Sequence, residues 1–157
     1  MRLRVYWFGR AGAEPCPGLV ERYRTRISRR WPAEDIVLRP AQGGRDRDRA
    51  GALAREAEQL ARRLPGRWPV VALDERGEAP DSPGFAAMLE RYETAAVPGV
   101  AFVVGSDLGL SPAVLERADR RLSLGPMTLP HALARVVLWE QLFRAVDILA
   151  GGSYHRA

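Results

Sequence analysis

Apolar and polar positions change their spacing repeatedly along the chain, and the changes outline its elements. Leu3 to Phe8 is a mostly apolar run ending at Gly9, which predicts a first strand. From Gly18 to Trp31, Leu19, Tyr23, Ile27 and Trp31 recur four apart, one face of a helix. Arg22, Arg26, Arg29 and Arg30 fall elsewhere on that helix. Asp35 to Arg39 predicts a short second strand. Gln42-Gly43-Gly44 and the mixed-sign RDRDR read as a loop and helix start, with an RNA-contacting loop as the functional alternative. Leu53, Ala57, Leu60 and Leu64 mark the buried face of a helix over 51–64, which Pro65-Gly66 stops.

PVVALD, at 69–74, predicts a buried strand with a polar end, Asp74-Glu75-Arg76-Gly77. Ser82-Pro83 opens a helix carrying Phe85, Met88, Leu89 and Tyr92. VAFVV, at 100–104, is a central strand, followed by Gly105-Ser106-Asp107-Leu108-Gly109. Ser111-Pro112 combines an N-cap residue with proline at the first helical position. Leu122 to Leu124 predicts the fifth strand, and Pro130 opens the last helix. Five strands alternating with five helices give a single-domain α/β fold, a mostly parallel sheet with helices on both faces. The helix over 133–149 is apolar nearly all round, so two faces need burial. One packs on the sheet; the other is expected to meet a second subunit across a two-fold axis.

At 157 residues the chain reads as one domain, 1–157, able to bury roughly 70% of its unfolded surface. No apolar run approaches the ~20 residues of a membrane span, and the first residues read as a strand rather than a signal peptide. Cys16 is the single cysteine, which fits a reducing cytoplasm. The net charge is +5, and every basic residue is arginine. Arginine grips phosphate with a planar fork and stacks on bases, so nucleic acid is the first partner to consider.

The chemistry narrows by exclusion. There is no GxGxxG after the first strand and no GxxxxGK[ST], which disfavours a nicotinamide-binding or P-loop enzyme. Two histidines 24 positions apart, without neighbouring cysteines, give no metal site. A G-x-S-x-G elbow is absent. Gly77, Gly105, Gly109 and Gly125 lie in loops after three consecutive strands, all expected at one sheet edge. Such loops can offer backbone N–H and C=O groups to a small planar ligand. Asp74 and Glu75 could act as bases, although strand-end acids are more often caps. Arg135 and Arg144 interrupt the apolar helix, to be paired at an interface or aimed at phosphate.

LDERG (73–77), FVVG (102–105), MTLPHALAR (127–135), EQLFRA (140–145) and YHR (154–156) resemble, in order and spacing, the RlmH family across essentially the whole chain. These are small SPOUT-class methyltransferases acting on a pseudouridine of large-subunit ribosomal RNA. The resemblance implies a trefoil knot and a dimer interface in residues 100–157, a homodimer, and S-adenosylmethionine (S-adenosyl-L-methionine) as cofactor. It assigns cofactor contacts to Leu73, Gly105, Leu124, Gly125, Pro126, Met127, Thr128 and Leu129. It makes Tyr154, His155 and Arg144 the catalytic candidates, with His131, Arg135 and Arg156 on the substrate side, His131 shaping the knot and Arg135 serving the site or interface. The chain departs from the family pattern at Ser106, where a second glycine is usual, at Leu108, where an acid is usual, and at Phe143, where tyrosine is usual.

The implied reaction transfers a methyl group to N3 of pseudouridine, on the assembled ribosome, with no membrane or metal involved. His155 or Tyr154 would take the N3 proton or stabilise the resulting anion, while Arg144 would hold a phosphate or the developing charge. The rivals are a ribosome-binding assembly factor with weak or no catalysis, a knotted methyltransferase acting on transfer RNA, and a flavodoxin-like nucleotide binder.

Overall fold

A computed structural model describes residues 1–10, 12, 15–16, 18–41 and 48–155. Ten elements alternate along it: β1 (Arg2–Phe8), α1 (Leu19–Ile27), β2 (Ala33–Leu38), α2 (Arg49–Ala61), β3 (Val70–Glu78), α3 (Ser82–Thr94), β4 (Gly99–Val104), α4 (Pro112–Arg117), β5 (Arg120–Leu122) and α5 (His131–Leu149). The strands form one sheet in the order β2-β1-β4-β3-β5, and every neighbouring pair is parallel.

The period-two alternation of the central strands sorts the helices into two layers. Leu3, Val5 and Trp7 of β1 and Val100, Phe102 and Val104 of β4 pack with α1, α3 and α5. Tyr6, Phe8, Ala101 and Val103 face the other way, onto Leu60 of α2 and Val114 of α4. Burial on both faces explains why β4 is apolar at every position after Gly99. The chain leaves β1 toward β2 and leaves β4 toward β5, in opposite directions. Their carboxyl ends therefore flank a topological switch point, where open α/β sheets bind ligands.

Several boundaries differ from those read in the sequence. Helix α1 stops at Ile27 rather than Trp31. Strand β2 begins at Ala33, and α2 begins at Arg49. Gln42, Gly43 and Gly44, with Arg45–Arg47 of the RDRDR run, lie outside the described residues. Strand β3 does not end at Asp74. It bulges between Leu73 and Glu78, then pairs again with Leu122 of β5. Gly77 belongs to this extension: a Cβ there would lie 2.5 Å from the carbonyl carbon of Arg121. It is a close-approach glycine between two strands and not a ligand-cradle glycine. Strand β5 is Arg120–Leu122 rather than 122–124, a short charged edge strand with only Leu122 buried. Leu124 accordingly sits in the loop beyond it.

The last helix lies between α1 and α3 over the sheet. Arg135, Val136, Leu138, Trp139, Leu142 and Ala145 are buried, and its remaining positions are all half-buried. The outer stripe carries Leu133, Val137, Glu140, Arg144 and Ile148.

Candidate functional site

The loop after β4 is a self-closing turn. The Gly109 amide donates to the Ser106 carbonyl at 2.9 Å, and the two residues form an isolated antiparallel bridge. A Cβ on Gly105 would lie 2.6 Å from the carbonyl carbon and oxygen of Gly109, so only glycine permits this closure. Ser106 fits the turn without steric conflict. Its hydroxyl donates to the buried Glu56 at 2.9 Å and accepts from the Leu108 amide at 3.2 Å. The other Glu56 oxygen accepts from the Ala41 amide at 2.9 Å. A side-chain anchor thus replaces the backbone freedom of a second glycine.

Asp107 reaches the opposite way, its carboxylate 2.7 Å from His131 Nδ1 at the start of α5. The His131 ring also lies against Trp7, with centroids 6.3 Å apart. His131 therefore ties the β4 loop to the last helix at the carboxyl edge of β1. Trp7 Nε1 is buried there without a hydrogen-bond partner.

The segment after β5 is open. The Ser123 amide donates to the Glu78 carbonyl at 2.8 Å, and the Ser123 hydroxyl donates to the Gly125 carbonyl at 3.1 Å. Gly125 has φ 128°, a region that glycine tolerates and other residues do not. Beyond these contacts, the N–H groups of Leu124, Met127, Thr128 and Leu129 have no hydrogen-bond partner among the described residues. Leu122 to Gly125 lines a cleft of about 410 Å³, closed by the start of α3 and by Val137, Leu138 and Gln141 of α5. That volume lies within the ~300–1,000 Å³ usual for small-molecule sites. Leu73 stands opposite Leu122 just before the β3 bulge, Ala72 pairs with Val103 of the adjacent strand, and Gly105 directly follows β4. The structure thus gathers Leu73, Gly105, Leu124 and Gly125 at one edge. Pro126, Met127 and Thr128 are exposed, Met127 by 80%.

The tail folds back over the end of α5. Gly151 takes φ 66°, and Asp147 captures the returning chain through the amides of Tyr154 (2.9 Å) and His155 (3.3 Å). Glu140 is the hub of the resulting cluster. One of its oxygens accepts from Arg144 Nη2 at 2.6 Å and from the Tyr154 hydroxyl at 3.1 Å. Its other oxygen accepts from Gln141 at 2.7 Å. The Arg144 guanidinium lies 4.7 Å from the centre of the Tyr154 ring, and its Nη1 is 3.4 Å from His155 Nδ1. A guanidinium has no acceptor, so it can only donate to that nitrogen. Phe143 stacks on Tyr23 of α1, and Tyr154 meets Phe143 edge-on at 4.8 Å. Desolvation, together with hydrogen bonds to Tyr23 and Glu140, pushes the Tyr154 phenol up to about 12. The ion pair with Glu140 raises Arg144 as well.

Arg135 is 3% exposed. Its Nε and Nη2 meet Asp35 of β2 at 3.0 and 2.6 Å, Trp139 Nε1 donates to the same carboxylate at 2.8 Å, and the guanidinium covers Trp7 at 4.0 Å. The structure places it in the packing beneath α5. Arg156 lies outside the described residues. Asp74 accepts from the Arg76 amide at 2.9 Å, a local turn within the β3 bulge. Among the described residues, no acidic, histidine and cysteine cluster could hold a metal, and no helix is long and apolar enough to cross a membrane.

Glu140, Asp107, Tyr23, Glu56 and Asp35 were missed as partners. Glu140 carried a signal, since a Glu four residues before an Arg on a helix predicts an ion pair. Asp35 and Arg135 are 100 residues apart, and no local pattern joins them.

A family model described as "Predicted SPOUT methyltransferase" matches residues 1–155. The chain is 47% identical over 156 residues to "Ribosomal RNA large subunit methyltransferase H" of Acidiphilium cryptum, covering 99% of this chain and 94% of that protein. It is 51% identical over 147 residues to the protein of the same name from Rubrobacter xylanophilus, covering 91% and 89%. Among solved structures, a "Probable Methyltransferase" from Bordetella pertussis Tohama I superposes with TM-score 0.55 at 22% identity. The match covers 92% of this chain and 96% of that one, and supports the fold alone.

Proposed function

The chain belongs to the SPOUT methyltransferase family, and from that premise we propose that it methylates N3 of a pseudouridine in large-subunit ribosomal RNA, using S-adenosylmethionine. The substrate in this reading is the assembled ribosome in the cytoplasm, and the enzyme works as a homodimer with the knotted threading its family resemblance implies. The observation that carries it is the open backbone of residues 124–129: Leu124 and Gly125 line a cleft of ligand size beside β5, and the N–H groups of Leu124, Met127, Thr128 and Leu129 have no partner among the described residues. Such donors suit the carboxylate, ribose and adenine edges of the cofactor, and the residues present fit that group.

When bound, the cofactor supplies a methyl group on a sulfonium, already activated toward a nucleophile. Leu73, Gly105 and 124–129 hold and orient it, so much of the rate comes from alignment. A phenol held near 12 stays protonated at neutral pH, which makes Tyr154 a donor and positioning group rather than the base. With Nδ1 accepting from Arg144, the neutral His155 ring carries its hydrogen on Nε2. His155 and Arg144 then stabilise negative charge on the carbonyl oxygens flanking N3 as its proton passes to solvent water.

Among the described residues, no hydrogen bond or ring contact joins Tyr154 or His155 to residues 124–129. Thirteen helical steps along α5, roughly 20 Å of helix axis, separate His131 from Arg144. Met127 and Tyr154 are two of only three exposed large apolar side chains described. Covering both across a two-fold axis brings the tail of one protomer to the cofactor loop of its partner. The test is transfer of labelled methyl to ribosomes and to free RNA from a strain lacking the modification. Label in large-subunit RNA supports the proposal. Label in transfer RNA alone, or none from a protein that binds ribosomes, replaces it with one of its rivals.

A further inference from the structure

Two of the five arginines between Arg22 and Arg30 are engaged by acids: Arg24 by Glu21 at 2.6 Å and Arg30 by Glu93 at 2.6 Å. Arg22, Arg26 and Arg29 differ. All three are exposed, and none has a carboxylate within ion-pair distance among the described residues. Arg22 and Arg26 are one helical turn apart, about 6 Å along the axis. Arg29 follows in the turn that closes the helix, its amide bonded to the Arg26 carbonyl. The three form a stripe of uncompensated charge on one element of a chain with net charge +5.

The stripe is continuous with the tail cluster. The Arg26 guanidinium lies 5.2 Å from the centre of the Phe143 ring, Phe143 meets Tyr154 at 4.8 Å, and Arg144 covers Tyr154. A run of guanidinium groups leading onto aromatic rings is how single-stranded RNA is tracked and its bases received. Forked guanidinium groups are matched to phosphate oxygens, and acid-free arginines keep that capacity unspent.

We infer that Arg22, Arg26 and Arg29 are the docking track for the ribosomal RNA backbone, delivering the strand to Tyr154 and His155 of the same protomer. The inference rests on the ribosomal RNA reading above and adds where the RNA lies. Binding then depends on a local track rather than on dispersed surface charge.

The test compares the double variant Arg22→Gln/Arg29→Gln with Arg63→Gln/Arg67→Gln, whose arginines sit beyond α2 on the other side of the sheet. Arg26 is left intact because it also packs on Phe143. Methyl transfer to unmodified ribosomes gives KM and kcat at several salt concentrations, and filter binding of the same particles gives affinity without turnover. Each lost phosphate contact lowers the salt slope by about 0.7, so the α1 pair should lose about 1.4 and bind about 25-fold more weakly at 0.1 M salt. The expected signature is that change with kcat intact, and no change in the Arg63/Arg67 pair. Equal slopes for the α1 pair and wild type overturn the inference. So does a change in oligomeric state, seen by sedimentation, because the stripe is then a subunit contact. If wild-type protein binds ribosomes but methylates none, the enzyme reading fails while filter binding still decides the track.

Discussion

Replacing Asp35 by alanine should destabilise the protein by at least about 3 kcal/mol. Asp35 receives Arg135 through two nitrogens and Trp139 through a third, within a site where Arg135 is 3% and Asp35 11% exposed. Removing one member of a buried ion pair typically costs about 3–5 kcal/mol, because the remaining charge stays in a medium of low polarity. A buried indole N–H deprived of its acceptor costs about 1–3 kcal/mol. The two losses share one carboxylate, so they do not add in full, and about 3–5 kcal/mol is the working range. With a urea m-value of about 2 kcal/mol/M, the midpoint should fall by about 1.5–2.5 M. The melting temperature should fall by roughly 6–20 °C. Protein concentration is held fixed, because the stability of any self-associating protein depends on it. Asp35→Asn keeps an acceptor for Trp139 and the local volume, and should lose less. A loss below about 1 kcal/mol in Asp35→Ala would refute the view that this pair pins the start of α5. An unchanged melting temperature with a large fall in turnover would move Arg135 from the packing to the reaction.

Tyr154→Phe should keep methyl transfer within a few-fold of wild type at neutral pH, whereas His155→Ala should lose about 10²–10³-fold, as for a charge-stabilising donor. Single-turnover rates check this, and an equal collapse in Tyr154→Phe makes the phenol essential to the chemistry. Gly105→Ala should weaken cofactor binding tenfold or more, about 1.4 kcal/mol, while circular dichroism shows a retained fold, since the new methyl meets the Gly109 backbone at 2.6 Å. Calorimetric titration giving unchanged affinity places the cofactor elsewhere. Glu93→Ala should cost about 1–3 kcal/mol by depriving the buried Trp31 indole of its 2.7 Å acceptor. Trp31 and Arg30 hold the Glu93 carboxyl below its usual value despite some desolvation. Its contribution is therefore present above the unfolded value and lost as pH falls through the folded one. Melting temperatures between pH 7 and 3 should drop less steeply in Glu93→Gln than in wild type, and parallel curves would remove Glu93 from the acid response.

Elements driven by burial were legible and those driven by pairing were not. VAFVV and PVVALD announce themselves because both faces of the central strands are covered. Ser111-Pro112 is legible because capping is local: the Ser111 hydroxyl accepts from the Val114 amide. Arg120-Arg121-Leu122 carries no apolar alternation, since an edge strand needs only one buried residue, and LSL beside it offered a better pattern in the wrong place. Gly77 reads like any turn glycine; only the approach of the β5 backbone shows why a side chain is barred. Candidate site residues came from the family resemblance, through words such as MTLPH and YHR. Their partners, Glu140 beneath Tyr154 and Asp107 against His131, depend on how loops return and left little trace in spacing.

Helix α5 is also a ruler. Nineteen residues, from His131 to Leu149, run without a break between the open segment 124–130 and the reversal that carries Tyr154 and His155. Each residue added advances the tail by about 1.5 Å and rotates it by about 100°. One inserted residue would swing Glu140 and Arg144 off the outer stripe. Four would restore the phase approximately but carry the tail about 6 Å too far. Substitutions along the outer stripe change one group at a time, whereas any change of length shifts the whole tail cluster relative to residues 124–129. The number of residues in α5 is thus as much a functional constraint as their identity.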